Sequence, residues 1–259
     1  MDLGIKGKKA IVCASSEGLG RGCAMALAEA GCDVVINGRT QENVEATANE
    51  IAKAFNVTGT PIAADVSTKD GQDALLAACP APDILINNNG GPPRRNFTDL
   101  DRDMMIDGVV QNMITPIELI QRVADGMAER GFGRIVNITS LSVLMPIEGL
   151  DLSSGARAGL SAFLAGVRPL YAAKNVTMNN LLPGKMDTKR LQGGLKAAAE
   201  ARGVDYDAVA NAQKSEIPAK RFGNPEEFGQ TCAFLCSQHA GYITGQNILM
   251  DGGLFPHSF

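Results

Sequence analysis

The chemistry of this chain starts at a turn. Residues Cys13-Ala14-Ser15-Ser16-Glu17-Gly18-Leu19-Gly20 follow the apolar run Ala10-Ile11-Val12 and lead into a stretch rich in Ala, Leu and Met. Glycines at a strand-to-helix turn let backbone N–H groups approach a pyrophosphate, which then rests on the positive end of the helix. Two glycines in a turn are a weak signal by themselves. A second candidate is Arg94-Arg95, directly after Gly90-Gly91-Pro92-Pro93. Paired guanidiniums grip a carboxylate or phosphate in a fork geometry, or they form an ordinary solvated basic loop.

The elements that would position these groups alternate along the chain. Apolar, β-branched runs at Ala10–Val12, Val34–Ile36, Ile62–Ala64, Ile84–Ile86, Arg134–Ile138, Val176–Leu182 and Asn247–Met250 read as strands. Helical stretches separate them: Gly20–Ala30, Gln41–Phe55, Lys69–Ala78, a long one from Asp101 to Glu129, and Leu152–Ala172. Strands this apolar, joined by helix-length crossovers, predict an α/β fold with a doubly wound parallel sheet of about seven strands covered on both faces. No linker or internal repeat divides the chain, so one domain over 1–259 is expected. The least regular region, Lys185 to Ile217, follows the sixth strand. There it would act as a lid over ligands bound beyond the strand ends.

Composition narrows the function classes. Hydrophobic residues make up 45% and charged residues 20% of the chain, a globular balance, and the formal net charge is −4. That charge argues against a nucleic-acid partner or an anionic membrane surface. The chain starts without a signal-peptide-like run and has no segment long and apolar enough to span a bilayer. The six cysteines lack CxxC pairing, and His239 and His257 are the only histidines. The expectation is therefore reduced thiols, no zinc site and a cytoplasmic location.

Taken together, the motifs resemble those of the short-chain dehydrogenases/reductases. The turn resembles the family's TGxxxGxG, matching at Gly18 and Gly20, with Ala14 at the first glycine and Cys13 at the threonine. Asn87-Asn88-Asn89-Gly90 resembles NNAG, and Asn112 falls at the asparagine of the central helix. Gly133-Arg134-Ile135-Val136-Asn137-Ile138-Thr139-Ser140 resembles the strand ending in the catalytic serine. Pro183-Gly184 with Thr188 resembles the PGxxxT loop, and Arg221–Glu227 and Ile243–Gly253 match the C-terminal third.

The resemblance implies a three-layer Rossmann fold and a nicotinamide cofactor. It assigns the cofactor to Ser15, Ser16, Gly18, Leu19 and Gly20 at the turn, and to Asp65 and Val66 at the adenine. Asn88, Asn89, Gly90, Arg157, Pro183, Gly184, Met186 and Thr188 complete that set. The second strand ends Ile36-Asn37-Gly38-Arg39, without the acid that would accept bonds from the adenosine ribose. Arg39 can instead pair with a 2′-phosphate, which favours NADP(H) over NAD(H), although Glu17 brings a negative charge to the same pocket.

The catalytic positions depart from the family. A tyrosine ordinarily gives the proton to the carbonyl oxygen, with a lysine four residues later on the same helix face. Here the segment falls on Ser153-Ser154-Gly155-Ala156-Arg157, so Ser153 replaces the tyrosine and Arg157 the lysine. Arginine stays protonated and does not shuttle protons, but it can hold a ribose or stabilise an oxyanion. Ser140 would polarise the carbonyl, and Asn112 would maintain a water-linked proton route. Tyr171 and Tyr242 read as packing residues, while Tyr206, Lys185 and Asp151 are alternative proton sources on the ligand side.

The leading expectation is an NADP(H)-dependent oxidoreductase with a modified catalytic centre, acting on a small carbonyl or hydroxy substrate. Within the family, the likeness is to 3-oxoacyl carrier-protein reductases. A non-redox carbonyl enzyme of dehydratase, aldolase or hydrolase type, or a nucleotide-binding subunit with little turnover, are the alternatives. The resemblance also implies a homotetramer or homodimer.

Overall fold

The computed structural model describes residues 1–256. His257 and the two residues after it, the end of the expected 1–259 domain, lie outside them. Seven parallel strands form one sheet in the order β3-β2-β1-β4-β5-β6-β7. They are β1 Lys9–Val12, β2 Asp33–Gly38, β3 Gly59–Ala63, β4 Ile84–Asn87, β5 Gly133–Ile138, β6 Val176–Pro183 and β7 Asn247–Met250. The order reverses between β1 and β4, where a doubly wound sheet opens its ligand crevice beyond the strand ends.

Both faces of the sheet are covered, which is why the strands are almost uniformly apolar. Side chains alternate across the pleat. Ala10, Val12, Val34, Ile36, Ile84 and Ile86 enter one core, while Ile11, Val35 and Leu85 enter the other. On the first face lie α1 (Gly18–Glu29), α2 (Gln41–Phe55) and α10 (Pro225–Leu235). The second carries α3 (Lys69–Ala78), α5 (Thr115–Glu129) and α6 (Asp151–Val167). All six cysteines are free and buried. No helix among the described residues is long and apolar enough to cross a membrane.

Four elements differ from the sequence reading. The third strand starts at Gly59 and runs through Pro61, earlier than the expected Ile62. Proline lacks a ladder donor, but β3 pairs only with β2 and sits at the sheet edge, where the loss is tolerated. The long central helix is not continuous. It consists of α4 (Arg102–Val109), a π-helical turn at Val110–Ile114, and α5. The helix expected to reach Ala172 stops at Val167, and Pro169 opens a separate turn, α7 (Pro169–Ala172), because proline cannot supply an interior N–H.

The segment read as least regular is mostly helical, with α8 at Lys189–Arg202 and α9 at Tyr206–Glu216. Thr188 caps α8 by accepting from Leu191 N, and Gly203 ends it in a left-handed conformation, φ 64°. The pair buries a small core of its own from Leu195, Ala199, Val209 and Ala210. That core is narrow, so the hydrophobic periodicity is faint in the sequence. An ion pair of 2.8 Å between Lys185 and Glu216 joins the two ends of the segment.

Candidate active site

The phosphate turn is held from below. The hydroxyl of Ser15 donates to Val12 O at 2.6 Å and accepts from Asn37 N at 3.0 Å, and the residue is fully buried. Ser15 therefore shapes the turn and has no hydroxyl left for a ligand. Asn37, also buried, accepts from Ala14 N at 3.0 Å and donates to Ala64 O at 3.0 Å. It ties the turn to the ends of β2 and β3. Ala14 adopts φ 44°, a left-handed conformation that suits the glycine the motif leads one to expect there. A Cβ on Gly20 would stand 2.2 Å from Ala14 O, so only glycine fits beneath the turn.

Above this packing, the first N–H groups of α1 have no partner among the described residues. The residue before the helix, Glu17, makes no side-chain cap; its carboxylate pairs instead with Lys189 at 2.8 Å. An uncapped helix terminus such as this one, at Gly18, Leu19 and Gly20, has the N–H groups and dipole that suit an anion. The Thr188 methyl lies 3.8 Å from where a Gly18 Cβ would be, so the Pro183-Gly184 loop closes one side of the crevice. Met186 turns inward, 7% exposed, and pairs with Gly223. Arg39, by contrast, is exposed and makes no ion pair among the described residues. Asp65 binds Ser67 through both its N–H and its hydroxyl, which holds its carboxyl below the usual range, with Arg39 a weaker contributor. Val66 packs its side chain into the core and offers only backbone.

Where β4 ends, Asn88 donates to Ala14 O at 3.1 Å and Asn89 to Gln111 O at 3.4 Å. Gly90 N donates to Asn89 Oδ1 at 2.8 Å. These residues lace the phosphate turn to the π-helical turn. Asn112 sits in that turn, buried, donating to Gly108 O at 3.1 Å. Its Oδ1 has no partner, nor do Asn87 Oδ1 and Thr115 Oγ1. π-Helical turns tend to occur at functional sites, and here one carries the expected asparagine to the wall of a cavity.

That cavity is lined by Asn87, Asn88, Asn89, Gln111, Asn112, Thr115 and Arg157 among others. Its open space for water centres, about 20 Å³, accommodates one water molecule beside the unpaired oxygens. Arg157 is 8% exposed; its Nε donates to Ser153 Oγ at 3.0 Å and its Nη1 to Ile138 O. Burial, reinforced by Arg190, pushes its pKa down to about 10, so it remains a cation at neutral pH. With its oxygen occupied by Arg157, the Ser153 hydroxyl keeps its proton to donate. Ser140 likewise accepts from Ser142 N at 3.1 Å and keeps its O–H free. Asn112 and Arg157 thus share one cavity, with Ser153 attached through Arg157 and Ser140 two residues past Ile138.

Among the other groups expected as proton sources or packing residues, Lys185 and Tyr171 are engaged elsewhere, while Tyr206 and Asp151 are exposed. Tyr171 packs against the second core and donates to Asp125 at 2.9 Å. Tyr242 is fully exposed, which overturns the packing role expected of it: its turn before β7 faces outward. Tyr206 opens α9, 40% exposed, and Lys185 is engaged with Glu216.

Sequence reading did not anticipate a ladder of asparagines across the sheet. Asn87 Nδ2 donates to Asn137 Oδ1 at 2.9 Å, Asn137 to Asn180 at 3.0 Å, and Asn180 to Asn247 at 2.8 Å. Strand register brings them together, Asn87 against Asn137, Asn180 and Asn247 in turn. The only signal was an asparagine in each of four successive apolar runs, closing the first of them and opening the last.

Known proteins resemble this chain along its length. The family model described as enoyl-(acyl carrier protein) reductase matches residues 13–255. Acetoacetyl-CoA reductase of Allochromatium vinosum is 32% identical, over 96% of this chain and 98% of its own. NADPH-dependent reductase BacG of Bacillus subtilis is 30% identical, over 95% and 97%. L-Sorbose reductase from Gluconobacter frateurii, solved with NADPH and L-sorbose, superposes with a TM-score of 0.94 at 27% identity. That match covers 99% of this chain and 100% of the reductase. By sheet order, crevice and full-length likeness, this chain belongs to the short-chain dehydrogenase/reductase family.

Proposed function

We propose that the chain is an NADP(H)-dependent oxidoreductase that reduces a ketone, aldehyde or related carbonyl, with Ser153 and Arg157 in place of the family's tyrosine and lysine. The observation that carries this reading is Arg157, a buried cation bonded to Ser153 in the same cavity as Asn112. The cofactor fits the residues present. The bare N-terminus of α1 at Gly18, Leu19 and Gly20, with Ser16, would hold its pyrophosphate, and Arg39 its 2′-phosphate. Asp65 and Val66 would meet the adenine. Asn88, Asn89, Gly90, Pro183, Gly184, Met186 and Thr188 would enclose the nicotinamide end. The NADPH named for BacG and for the L-sorbose reductase complex supports the same choice. Held there, NADP(H) supplies a hydride to the carbonyl carbon.

The chain's own groups manage the oxygen. As the carbonyl carbon gains two electrons with the hydride, its π pair moves to oxygen. Arg157 stabilises that negative charge, which a preorganised donor does well in a water-poor site. Ser140 and Ser153 donate hydrogen bonds to the same oxygen. A proton relayed from solvent past Asn112 completes the alcohol, and the unpaired Asn112 Oδ1 and Thr115 Oγ1 are groups that would hold the relaying water. Residues 185–217 serve as the lid. The free, buried thiols fit a reducing cytoplasm. Met105, Ile106 and Val109 on α4 and Phe163 on α6 are exposed large apolar side chains, which supports self-association into a dimer or tetramer.

Fluorescence titration with NADPH and NADH, followed by cofactor oxidation against a carbonyl panel, tests the reading. NADPH is expected to bind more tightly and to be consumed. Arg39→Ala should weaken NADPH by about tenfold or more, as loss of a charged hydrogen-bonding partner does, and leave NADH nearly unchanged. Unaltered NADPH affinity in that variant refutes the cofactor assignment. Turnover without cofactor would point to non-redox chemistry, and binding without turnover to a non-catalytic subunit.

A further inference from the structure

Arg157 is not the only unmatched cation on the substrate side. Arg190, in the first turn of α8, donates through Nη1 to Gly91 O at 3.0 Å and through Nη2 to Pro92 O at 2.9 Å. It thereby clasps the loop that carries Arg94 and Arg95. That loop is held in turn to the segment before α6, since Arg95 N donates to Gly149 O at 3.2 Å. Arg94, Arg95, Asn96, Asp99, Glu148 and Gly149 line an open cleft there. None of Arg94, Arg95, Arg157 or Arg190 forms an ion pair among the described residues. Asp99 and Glu148 share that cleft with Arg94 and Arg95, whereas the exposed Arg190 and the buried Arg157 lie outside its lining.

Arg134 shows what a purely structural buried arginine looks like here. Its guanidinium donates to Ser237 O, Gly133 O, Asn175 O and Asn175 Oδ1, and it stacks on Phe132 at 4.4 Å. Among the described residues Arg157 makes only two such bonds, and its Nη2 makes none. Charge repulsion runs along the series: Arg190 lowers the pKa of Arg157, and Arg94 lowers that of Arg190, each after the larger effect of burial. Like charges gathered without partners are unfavourable, and an anion placed among them removes the penalty. The cofactor's phosphates are accounted for at α1 and Arg39, which leaves the substrate.

We propose that the substrate is an anionic oxo compound whose carboxylate or phosphoryl group is held by Arg190 and Arg94, with the reacting carbonyl directed toward Arg157. Guanidinium forks match both anions, and their planar donors discriminate strongly against a neutral ester. The proposal rests on the carbonyl-reductase reading and specifies its substrate class.

The test uses matched pairs on the NADP⁺-loaded protein: acetoacetate against methyl acetoacetate, and dihydroxyacetone phosphate against dihydroxyacetone. Calorimetry gives binding and NADPH oxidation gives turnover. At least one anion is expected to bind about tenfold or more tightly than its neutral partner, the scale of a charged hydrogen bond. The pair that shows the preference identifies the carboxylate or the phosphoryl group. Arg94→Ala and Arg190→Met should each collapse that anion-to-neutral ratio, and circular dichroism identifies any variant that misfolds. Equal binding of both members in both pairs, or a ratio unmoved in folded Arg94→Ala, overturns the proposal. If neutral ketones are reduced with no anion preference, the substrate class falls and the reductase reading stands. If anions bind selectively but no cofactor is consumed, the anion site stands and the reductase reading fails.

Discussion

Arg157 occupies the place where the family likeness leads one to expect a lysine, and its chemistry differs in two respects. It does not shuttle protons at neutral pH, and its fork can hold two oxygens at once. Burial lowers its pKa from the ordinary guanidinium range to about 10 in the folded chain. The cation is complete below that pH and is lost as pH rises through it. Carbonyl reduction, measured as kcat/KM, is therefore expected to hold up to about pH 10 and to fall above it. Stability moves the other way. Above about pH 10 and up to the ordinary guanidinium range, the unfolded chain binds more protons than the folded one, so folding gains as pH rises. Arg157→Lys places an amine of ordinary pKa about 10.4 in the same buried position, and the fall should shift to lower pH. Arg157→Met should cost on the order of 10²–10³ in kcat, the scale for removing an oxyanion donor. A full pH profile of all three proteins, taken with NADPH affinity, checks both statements. An unmoved alkaline limb in the lysine variant would remove Arg157 from the chemistry. Its position was legible in the sequence, counted from Ser140 and Gly159; its missing counter-ion was not, because a lack of neighbours is a property of three-dimensional packing.

Elements decide which of the polar residues meet. The asparagine ladder is assembled by parallel register, one amide from each of β4, β5, β6 and β7. It crosses the sheet from the last residue of β4 to the first of β7, and its Asn87 and Asn137 line the cavity. Asn137→Ala should be costly, because it leaves Asn87 Nδ2 and Asn180 Oδ1 without partners in a buried layer. A loss of about 2–3 kcal/mol is expected from the price of unsatisfied buried groups, read by chemical denaturation. A change below about 0.5 kcal/mol, the ordinary surface level, would show that the ladder is incidental. Strand and helix types were readable from hydrophobic periodicity, yet three boundaries were not. Pro61 disguised an edge strand, Pro169 split a helix, and the Val110–Ile114 turn is π-helical although its residues continue the amphipathic pattern. A π-helical turn adds one residue without altering composition, so the sequence carries no local mark of it.

At the scale of the whole molecule, the exposed apolar side chains of α4 and α6 are the feature least explained by a single copy. Ile106 is 51% exposed, Met105 47% and Phe163 46%. Large apolar side chains left in solvent, when they gather in a patch, mark a contact surface. With a second copy as occupant, Ile106→Asp combined with Phe163→Asp should shift the protein to smaller species in sedimentation and leave the circular dichroism unchanged. A wild-type protein that sediments as a monomer at micromolar concentration would refute the association.

By itself, the sequence determined the alternation of strand and helix, the parallel sheet, the glycine turn, and the identity of the residues at the expected catalytic positions. Those depend on local pattern: pleat period, helix period and the few residues a tight turn accepts. Tertiary structure decided the rest. It turned Ser15 into the core and Glu17 toward Lys189, aligned four asparagines across four strands, and placed Arg190 beside the loop of Arg94. Each of these depends on groups far apart in the chain, and only the packed sheet fixes their distance.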